Sequence, residues 1–383
     1  MQPTQLNSAK DLMTDNGPIL VAVSGGSDSV ALLHWMVEQF PDANLHCVTV
    51  DHGLRAESAT EASLVAKMAN TLGVPHQTLN WHPTAPASSA DARQARYRLL
   101  HRYATQLNAA CIVLGHNLDD QAETLFMRAF RSKPDSDTRG LSGIAEWATY
   151  RGLPLWRPLL AQTRQQLRDG LLQRNVCWVD DPSNQDVNYE RVRVRRLLAA
   201  PNVPTLPSRQ KVALLAALSG RSRCWMGEQV ATVIRLHVHR TQDATLCFAP
   251  GPGLPNTILL EVLACLILVA GGQSHRVPTI KLSKIATAAK FGSHMQTTLG
   301  RCLISTRQGA FFMQRENRNL AEMPKRIQTD TIFDGRWLLK PASGENPMHK
   351  TPYIEAFETF RPWYDDAVHA AVMDLLDSPC CST

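Results

Sequence analysis

The first 130 residues alternate between two kinds of segment, and this alternation constrains the fold more than any other feature. Short apolar runs occupy Ile19–Ser24, Leu45–Asp51, Pro75–Leu79 and Cys111–Gly115. Between and after them come stretches of helical spacing at Asp28–Phe40, Glu57–Leu72, Ala87–Leu107 and Asp119–Phe130. Strand–helix alternation of this kind builds a parallel sheet with helices on both faces. The expected fold class is therefore α/β and Rossmann-like. In such folds ligands sit at the carboxyl ends of the strands.

Further along, the helical patterns continue at Thr163–Gln173 and Tyr189–Leu198, with a polar Asp/Asn/Pro loop over Trp178–Asn188. Pro201, Pro204 and Pro207 mark the clearest linker, within Ala199–Ser208. The chain is mostly helical from Arg209 to about Ala270, and strand-like runs such as Cys302–Thr306, Ala310–Gln314 and Arg336–Lys340 follow. Three domains are expected: 1–200, a helical 201–290, and a small mixed α/β module over 291–383.

Charge and cysteine usage narrow the class. Residues 1–200 hold 20 basic and 20 acidic side chains, leaving 20 against 14 in 201–383, so the whole net charge of +6 lies in the second half. A neutral first part and a basic second part suggest chemistry upstream and an anionic partner downstream. The nine cysteines are scattered, odd in number and without a C-x-x-C pair. That argues against a disulfide framework and against the simplest zinc or iron–sulfur sites, and it favours a reducing cytoplasm. The longest apolar run, Ile258–Ala270, is interrupted by Glu261 and is too short for a bilayer core of ~30 Å, so a buried helix and no membrane span are expected. The opening residues lack a basic segment followed by an apolar core, so no secretory signal is expected.

The strongest local signal is Ser24-Gly25-Gly26-Ser27-Asp28-Ser29, directly after a strand and directly before a helix. Two glycines let the backbone turn and approach a ligand. The helix behind them offers free N–H groups and the positive end of its dipole. The loop is a phosphate cradle, yet neither a Walker A loop nor a dinucleotide G-x-G-x-x-G. It resembles the PP-loop of the ATP pyrophosphatases, which cleave ATP between the α and β phosphates. The resemblance implies that Ser24 to Ser29 hold pyrophosphate.

Other motifs fall at strand ends or on nearby helices. Asp51 and His52, in Val50-Asp51-His52-Gly53-Leu54-Arg55, close the second strand, where a nucleotide base or ribose could be read. Arg93 and Arg96 are three apart on one helix face and could both reach phosphates, unless they are a solvated basic face. Asp119, Asp120 and Glu123 cluster in one helical turn beside His116. Such acids serve as helix caps, hold Mg²⁺ or receive an ammonium; capping accounts for one of them but not for all three. Asp181 and Asn184 favour a polar turn, and the arginines at 191, 193, 195 and 196 offer RNA-phosphate contacts or simply a solvated helix.

In combination and order, SGGSDS, VDHGLR, AR…ARY, GHNLDDQAET, RPLL and DPSN with its arginine tail are similar to the tRNA(Ile)-lysidine synthetase branch of the PP-loop family, nearly continuously from Ile19 to about Leu198. The tail is weaker, with Phe291, Thr298-Leu299-Gly300 and Phe333-Asp334-Gly335-Arg336 resembling C-terminal modules of that branch. The resemblance implies that 1–200 is the catalytic domain, 201–290 a tRNA-binding or linker domain and 291–383 a small tRNA-binding module. The implied reaction uses ATP and Mg²⁺ to join L-lysine to the wobble cytidine of the CAU anticodon of tRNA(Ile). An adenylated cytidine is the intermediate, and codon reading changes from AUG to AUA. The implied catalytic residues are Asp28, His116, Asp119, Asp120 and Glu123, with Asp119 or Asp120 receiving the lysine ammonium and His116 a candidate base. ATP is expected on the PP-loop with Asp51, His52 and Arg93. RNA is expected on Arg96, Asp181, Asn184, Arg191, Arg193 and Arg195, and Mg²⁺ on Asp28 and Asp120. The stretch Arg131–Leu141 is longer than the family's usual Arg-Gly-Ser-Gly-like loop. Two other readings remain: a different PP-loop tRNA-modifying enzyme such as a thiolase, and a nucleotide-binding protein without catalysis.

Overall fold

The computed structural model describes residues 17–53, 58–83, 88–131, 143–180, 186–188, 190–199, 208–273, 275–290, 294–318, 331–334, 336–340, 349–352, 361–362 and 365–377. Leu54, Arg55, residues 132–142, Asp181, Asn184, residues 200–207 with the three prolines, Phe291 and Gly335 lie outside the described residues. The chain divides into two compact units, Met1–Arg221 and Ser222–Thr383.

The first unit is the α/β fold that the alternation dictates. Its strands are β1 (Ile19–Ala22), β2 (Leu45–Asp51), β3 (His76–Asn80), β4 (Cys111–Leu114), β5 (Trp147–Tyr150) and β6 (Leu153–Trp156). Its helices are α1 (Ser27–Gln39), α2 (Ser58–Thr71), α3 (Ser89–Gln106), α4 (Leu118–Arg131), α5 (Arg164–Gln173) and α6 (Glu190–Ala199). The strands lie in the order β5-β6-β4-β1-β2-β3. β1 is parallel to both β2 and β4, and β4 is parallel to β6. The β5–β6 hairpin was not apparent in the sequence, because each strand has only four residues and Pro154 interrupts the second. Its partners are found through stacking instead: Trp147 lies flat against Trp156, with ring centroids 5.3 Å apart.

Alternate residues of β1 feed two separate cores. Ile19 and Val21 pack with α1, α2 and α5, whereas Leu20 and Ala22 pack with α3 and the hairpin. A strand buried on both faces is what a doubly covered parallel sheet requires. After β1 the chain runs outward on one side to β2 and β3, then returns to place β4 on the other side. The carboxyl ends of β1 and β4 therefore form the switch point, where α/β sheets bind ligands. Ala22 is in register with Leu114, so the PP-loop and the Gly115–Asp120 segment leave the sheet side by side.

The second unit joins segments that read as separate in the sequence. α7 (Arg209–His237) contains the boundary between the two units. β7 (Val238–Arg240) and β8 (Leu246–Phe248) follow, then α8 (Asn256–Gly271) and α9 (Thr279–Lys290). β9 (Met295–Leu299), β10 (Cys302–Arg307) and β11 (Ala310–Arg315) complete an antiparallel sheet ordered β7-β8-β11-β10-β9. β12 (Thr331–Phe333), β13 (Trp337–Lys340) and β14 (His349–Pro352) form a smaller one, and α10 (Asp366–Asp377) ends the described chain. One apolar core runs from Val230 through α8 to Leu375 and includes Ile304 and Phe311 of the strands. This shared core is why the helical part and the strands form one unit rather than two. α8 is the buried helix that the apolar run implied. Among the described residues, no helix is long and apolar enough to cross a membrane.

Candidate active site

The PP-loop is closed by its own hydroxyls. Gly25 takes φ +91°, which a side chain would strain, and Gly26 caps α1 without any side-chain hydrogen bond. The first turn of α1 is thus left without a side-chain cap, as an anion site needs. The Ser29 hydroxyl donates to the Gly26 carbonyl at 2.9 Å and accepts from the Ser24 N–H at 3.1 Å. Val179 donates its N–H to the Gly25 carbonyl at 2.9 Å, tying the segment after α5 to the loop. Gly115, after β4, passes so close that a Cβ there would lie 3.0 Å from the Asp28 carbonyl oxygen.

A cavity of about 520 Å³ opens at this switch point. Ser24, Gly26, Ser27, Asp28 and Ser29 line one wall. Arg93 and Arg96 from α3, with His116, line another. Asp120, Arg164, Arg168, Asp180, Arg191 and Arg195, with Gly115 and Val179, complete it. The sequence reading did not include Arg164 and Arg168. They lie one turn apart on α5, whose start is a Thr163–Gln166 capping box legible as T-x-x-Q. The helix was evident in the sequence; the direction its arginines face was not.

The acidic turn divides its labour. Asn117 and Asp120 form a reciprocal box at the start of α4: Asp120 N–H donates to Asn117 Oδ1 at 3.0 Å, and Asn117 N–H donates to Asp120 Oδ2 at 3.1 Å. That leaves Asp120 Oδ1 for the cavity, where Arg191 reaches it at 3.1 Å and Arg164 at 3.4 Å. Asp119 turns away. Its carboxylate accepts the Arg164 backbone N–H at 2.7 Å and so anchors the start of α5; it does not line the cavity. Glu123 has a side chain only 1% exposed and lies behind the cavity wall. It holds Arg191 at 2.6 Å and Arg195 at 2.7 Å, with Arg164 at 3.6 Å.

These contacts set the titration of each group. Burial pushes the Asp120 carboxyl above the usual range, with Glu123 and Asp28 adding to the rise, and Arg191 and Arg164 only partly offset this. Burial would also raise Glu123, but hydrogen bonding from Arg195 and the charge of Arg191 outweigh it and hold Glu123 low. His116 is driven well below its ordinary value by burial, then by Arg157, Arg93, Arg96 and Arg191. It is therefore a neutral imidazole, and its buried Nδ1 has no hydrogen-bond partner among the described residues. The proposal of His116 as a base rested on its ordinary pKa, and this environment removes that ground.

Arg164 bridges Asp28 at 3.0 Å and Asp120. One guanidinium shared by two cavity carboxylates marks a place where a cation is at home. The donors there are all oxygens, and among the described residues no cluster of three or more His, Cys, Asp or Glu forms a metal cage. Two carboxylates without a cage fit Mg²⁺, which keeps several waters and leans on substrate phosphates.

Other expected residues lie elsewhere. Asp51 accepts the Gly53 N–H at 2.8 Å and His52 packs edge-on against Trp81; neither lines the cavity. Arg193 donates to the backbone carbonyls of Val187 and Asn188, both at 2.8 Å, and likewise does not line it.

A strand–SGGSDS–helix cradle at the switch point of a parallel sheet defines a PP-loop protein, and a family model described as a PP-loop domain matches residues 2–201. The tRNA(Ile)-lysidine synthase of Ruegeria pomeroyi is 36% identical over 329 residues, covering 84% of this chain and 76% of the relative. That of Mesorhizobium japonicum is 36% identical over 330 residues, covering 83% and 71%. Among solved structures, the U34-tRNA thiolase NcsA of Methanococcus maripaludis is similar over 54% of this chain and 72% of its own, with 14% identity and a TM-score of 0.45. The chain belongs to the tRNA(Ile)-lysidine synthase family.

Proposed function

We propose that this enzyme uses ATP to join L-lysine to C2 of the wobble cytidine in the CAU anticodon of tRNA(Ile), forming lysidine, AMP and pyrophosphate. The observation that carries the reading is a single cavity in which the PP-loop meets the acidic start of α4. Family membership supplies the substrate class.

In the first step the cytosine O2 attacks the α-phosphorus of ATP. The O–P bond forms as the bond to the β-phosphate breaks and pyrophosphate leaves. Ser24 to Ser29 and the amides opening α1 hold that leaving group with donors already in place. Arg93 and Arg96 face the cavity and suit the remaining phosphate. Mg²⁺, held by Asp28 beside the phosphates, would offset phosphate charge, which leaves Asp120 Oδ1 to the lysine.

In the second step the lysine amine attacks C2, and AMP departs carrying the former O2. The amine must be neutral to attack, whereas free lysine is protonated at pH 7. Asp120 Oδ1 both receives the ammonium and takes its proton, because burial has already raised its basicity. Neutral His116 lines the cavity beside it without adding charge. Glu123 is a positioning residue for Arg191 and Arg195. The reading places the enzyme in the cytoplasm, where tRNA and ATP meet.

The test is to incubate the purified chain with tRNA(Ile) transcript, ATP and lysine, and then to weigh the anticodon nucleoside. The expected product has the mass of cytidine plus lysine minus water. Unmodified cytidine from a folded, ATP-binding protein would sink the reading.

A further inference from the structure

A second charged cluster lies wholly within the Ser222–Thr383 unit. Its centre is Asp334, whose carboxylate side chain is 0% exposed. Three guanidinia converge on it. Arg315, from the end of β11, reaches Oδ1 and Oδ2 at 3.0 Å. Arg336 reaches Oδ2 at 2.8 Å, and Arg301, from the β9–β10 turn, bonds Oδ1.

Among the described residues the charges do not balance: one carboxylate faces three guanidinia, a formal surplus of two. The carboxyl end of α8 abuts the cluster, since a Cβ on Gly272 would lie 2.8 Å from Arg336 Cγ, and its dipole offsets about half a charge. The nearby acid Glu316 faces Arg318, at 3.9 Å. The surplus shows in the titration: burial first, with Arg315 and Arg301 adding, pulls Arg336 below its usual value despite Asp334.

The three arginines also differ in exposure. Arg315 is 5% exposed and spends its remaining donors on the Arg301 and Glu316 carbonyls, so it is framework. The Arg301 and Arg336 side chains are 40% and 24% exposed. Arg301 itself sits at φ +59°, a left-handed conformation that glycine or asparagine would fill more cheaply. An arginine kept there on a buried carboxylate is a preorganised fork, and forks of this kind match phosphate.

We propose that Arg301 and Arg336, set by Asp334 and Arg315, bind a phosphodiester of the RNA substrate. This rests on the RNA-modifying reading above. It gives the basic second half a defined contact in place of a diffuse charge.

The experiment measures binding of tRNA(Ile) transcript to the full chain over a range of salt, for wild type, Arg301→Gln, Arg336→Gln and Arg301→Lys. Each Gln variant is expected to weaken binding about threefold to tenfold at low salt and to flatten the salt slope by about one. Arg301→Lys should restore the slope but not the full affinity, because a point charge replaces the fork. ATP binding without RNA should be unchanged in all of them. Unaltered affinity and slope in folded Gln variants would overturn the proposal and leave a purely structural cluster. Thermal stabilisation by inorganic phosphate that Arg301→Gln abolishes, with tRNA binding intact, would assign the site to a free anion and overturn it as well. Wild type that fails to bind tRNA would sink the RNA-modifying reading and this site together.

Discussion

Two clusters of acids and arginines invite comparison, one in each unit. In the first, Asp28, Asp120 and Glu123 face Arg164, Arg191 and Arg195, three charges against three. In the second, Asp334 is the one acid among the described residues that faces Arg301, Arg315 and Arg336. A balanced network exchanges partners at little net cost, so an incoming ammonium or phosphate can replace one member for another. An unbalanced one is a fixed positive fork. The roles proposed above follow this difference, chemistry in the first cluster and RNA contact in the second, which is the division that the uneven charge of the two halves first suggested.

The sharpest way to break the balanced cluster is Asp120→Asn. It keeps an acceptor for the Asn117 N–H but removes both the charge and the proton acceptor. We expect lysine-dependent turnover to fall by about 10²-fold or more while thermal stability stays near wild type. In wild type, kcat/KM for lysine should decline as pH falls through the raised Asp120 value, because the protonated carboxyl takes no further proton. That limb should lie above the ordinary aspartate range near 3.9 and vanish in the variant. Pyrophosphate release with and without lysine, followed across pH, checks both outcomes.

Glu123→Gln probes the buried side of the same cluster. Removing one partner of a buried ion pair leaves the other uncompensated, at a cost of about 3–5 kcal/mol. We expect about 3 kcal/mol here, because Arg191 and Arg195 keep partial contact with water. The pH dependence follows from the depressed Glu123 value. Its stabilisation is present above the ordinary glutamate range and is lost as pH falls through the folded-state value. The gap between wild type and variant, read from urea midpoints, should therefore close in acid. A constant gap would mean that the loss comes from packing rather than charge.

Much of this arrangement was legible in the sequence, and the exceptions share a cause. The strand–helix alternation gave β1 to β4 and α1 to α4 within a few residues, because period and turn chemistry are local signals. The PP-loop and the Asp120 turn were equally local. Asp119 and Asp120 are adjacent and chemically identical, yet one anchors α5 and the other faces the cavity; that choice depends on where α5 packs, which no local signal carries. Arg164 and Arg168 were overlooked for the same reason, since their partners Asp28 and Asp180 become neighbours only through packing. The His116 environment is a sum over four arginines from three separate segments.

The smallest expected effect separates the arginines of α6. Arg191, Arg193 and Arg195 look equivalent in the sequence, but their positions on the helix send them apart. Arg191 and Arg195 are one turn apart and reach Glu123, whereas Arg193 points back to the carbonyls of Val187 and Asn188. It ties down the turn that enters the helix. Arg193→Gln should thus cost about 1 kcal/mol of stability, the usual net worth of such hydrogen bonds. Lysine and ATP KM values should stay within about twofold, the change expected of a surface substitution remote from the cavity. Arg195→Gln, by contrast, frees one oxygen of Glu123 and should raise the lysine KM. If Arg193→Gln impairs turnover as strongly as Arg195→Gln, the helix acts as one basic face on RNA. The sorting of its arginines by partner would then be wrong.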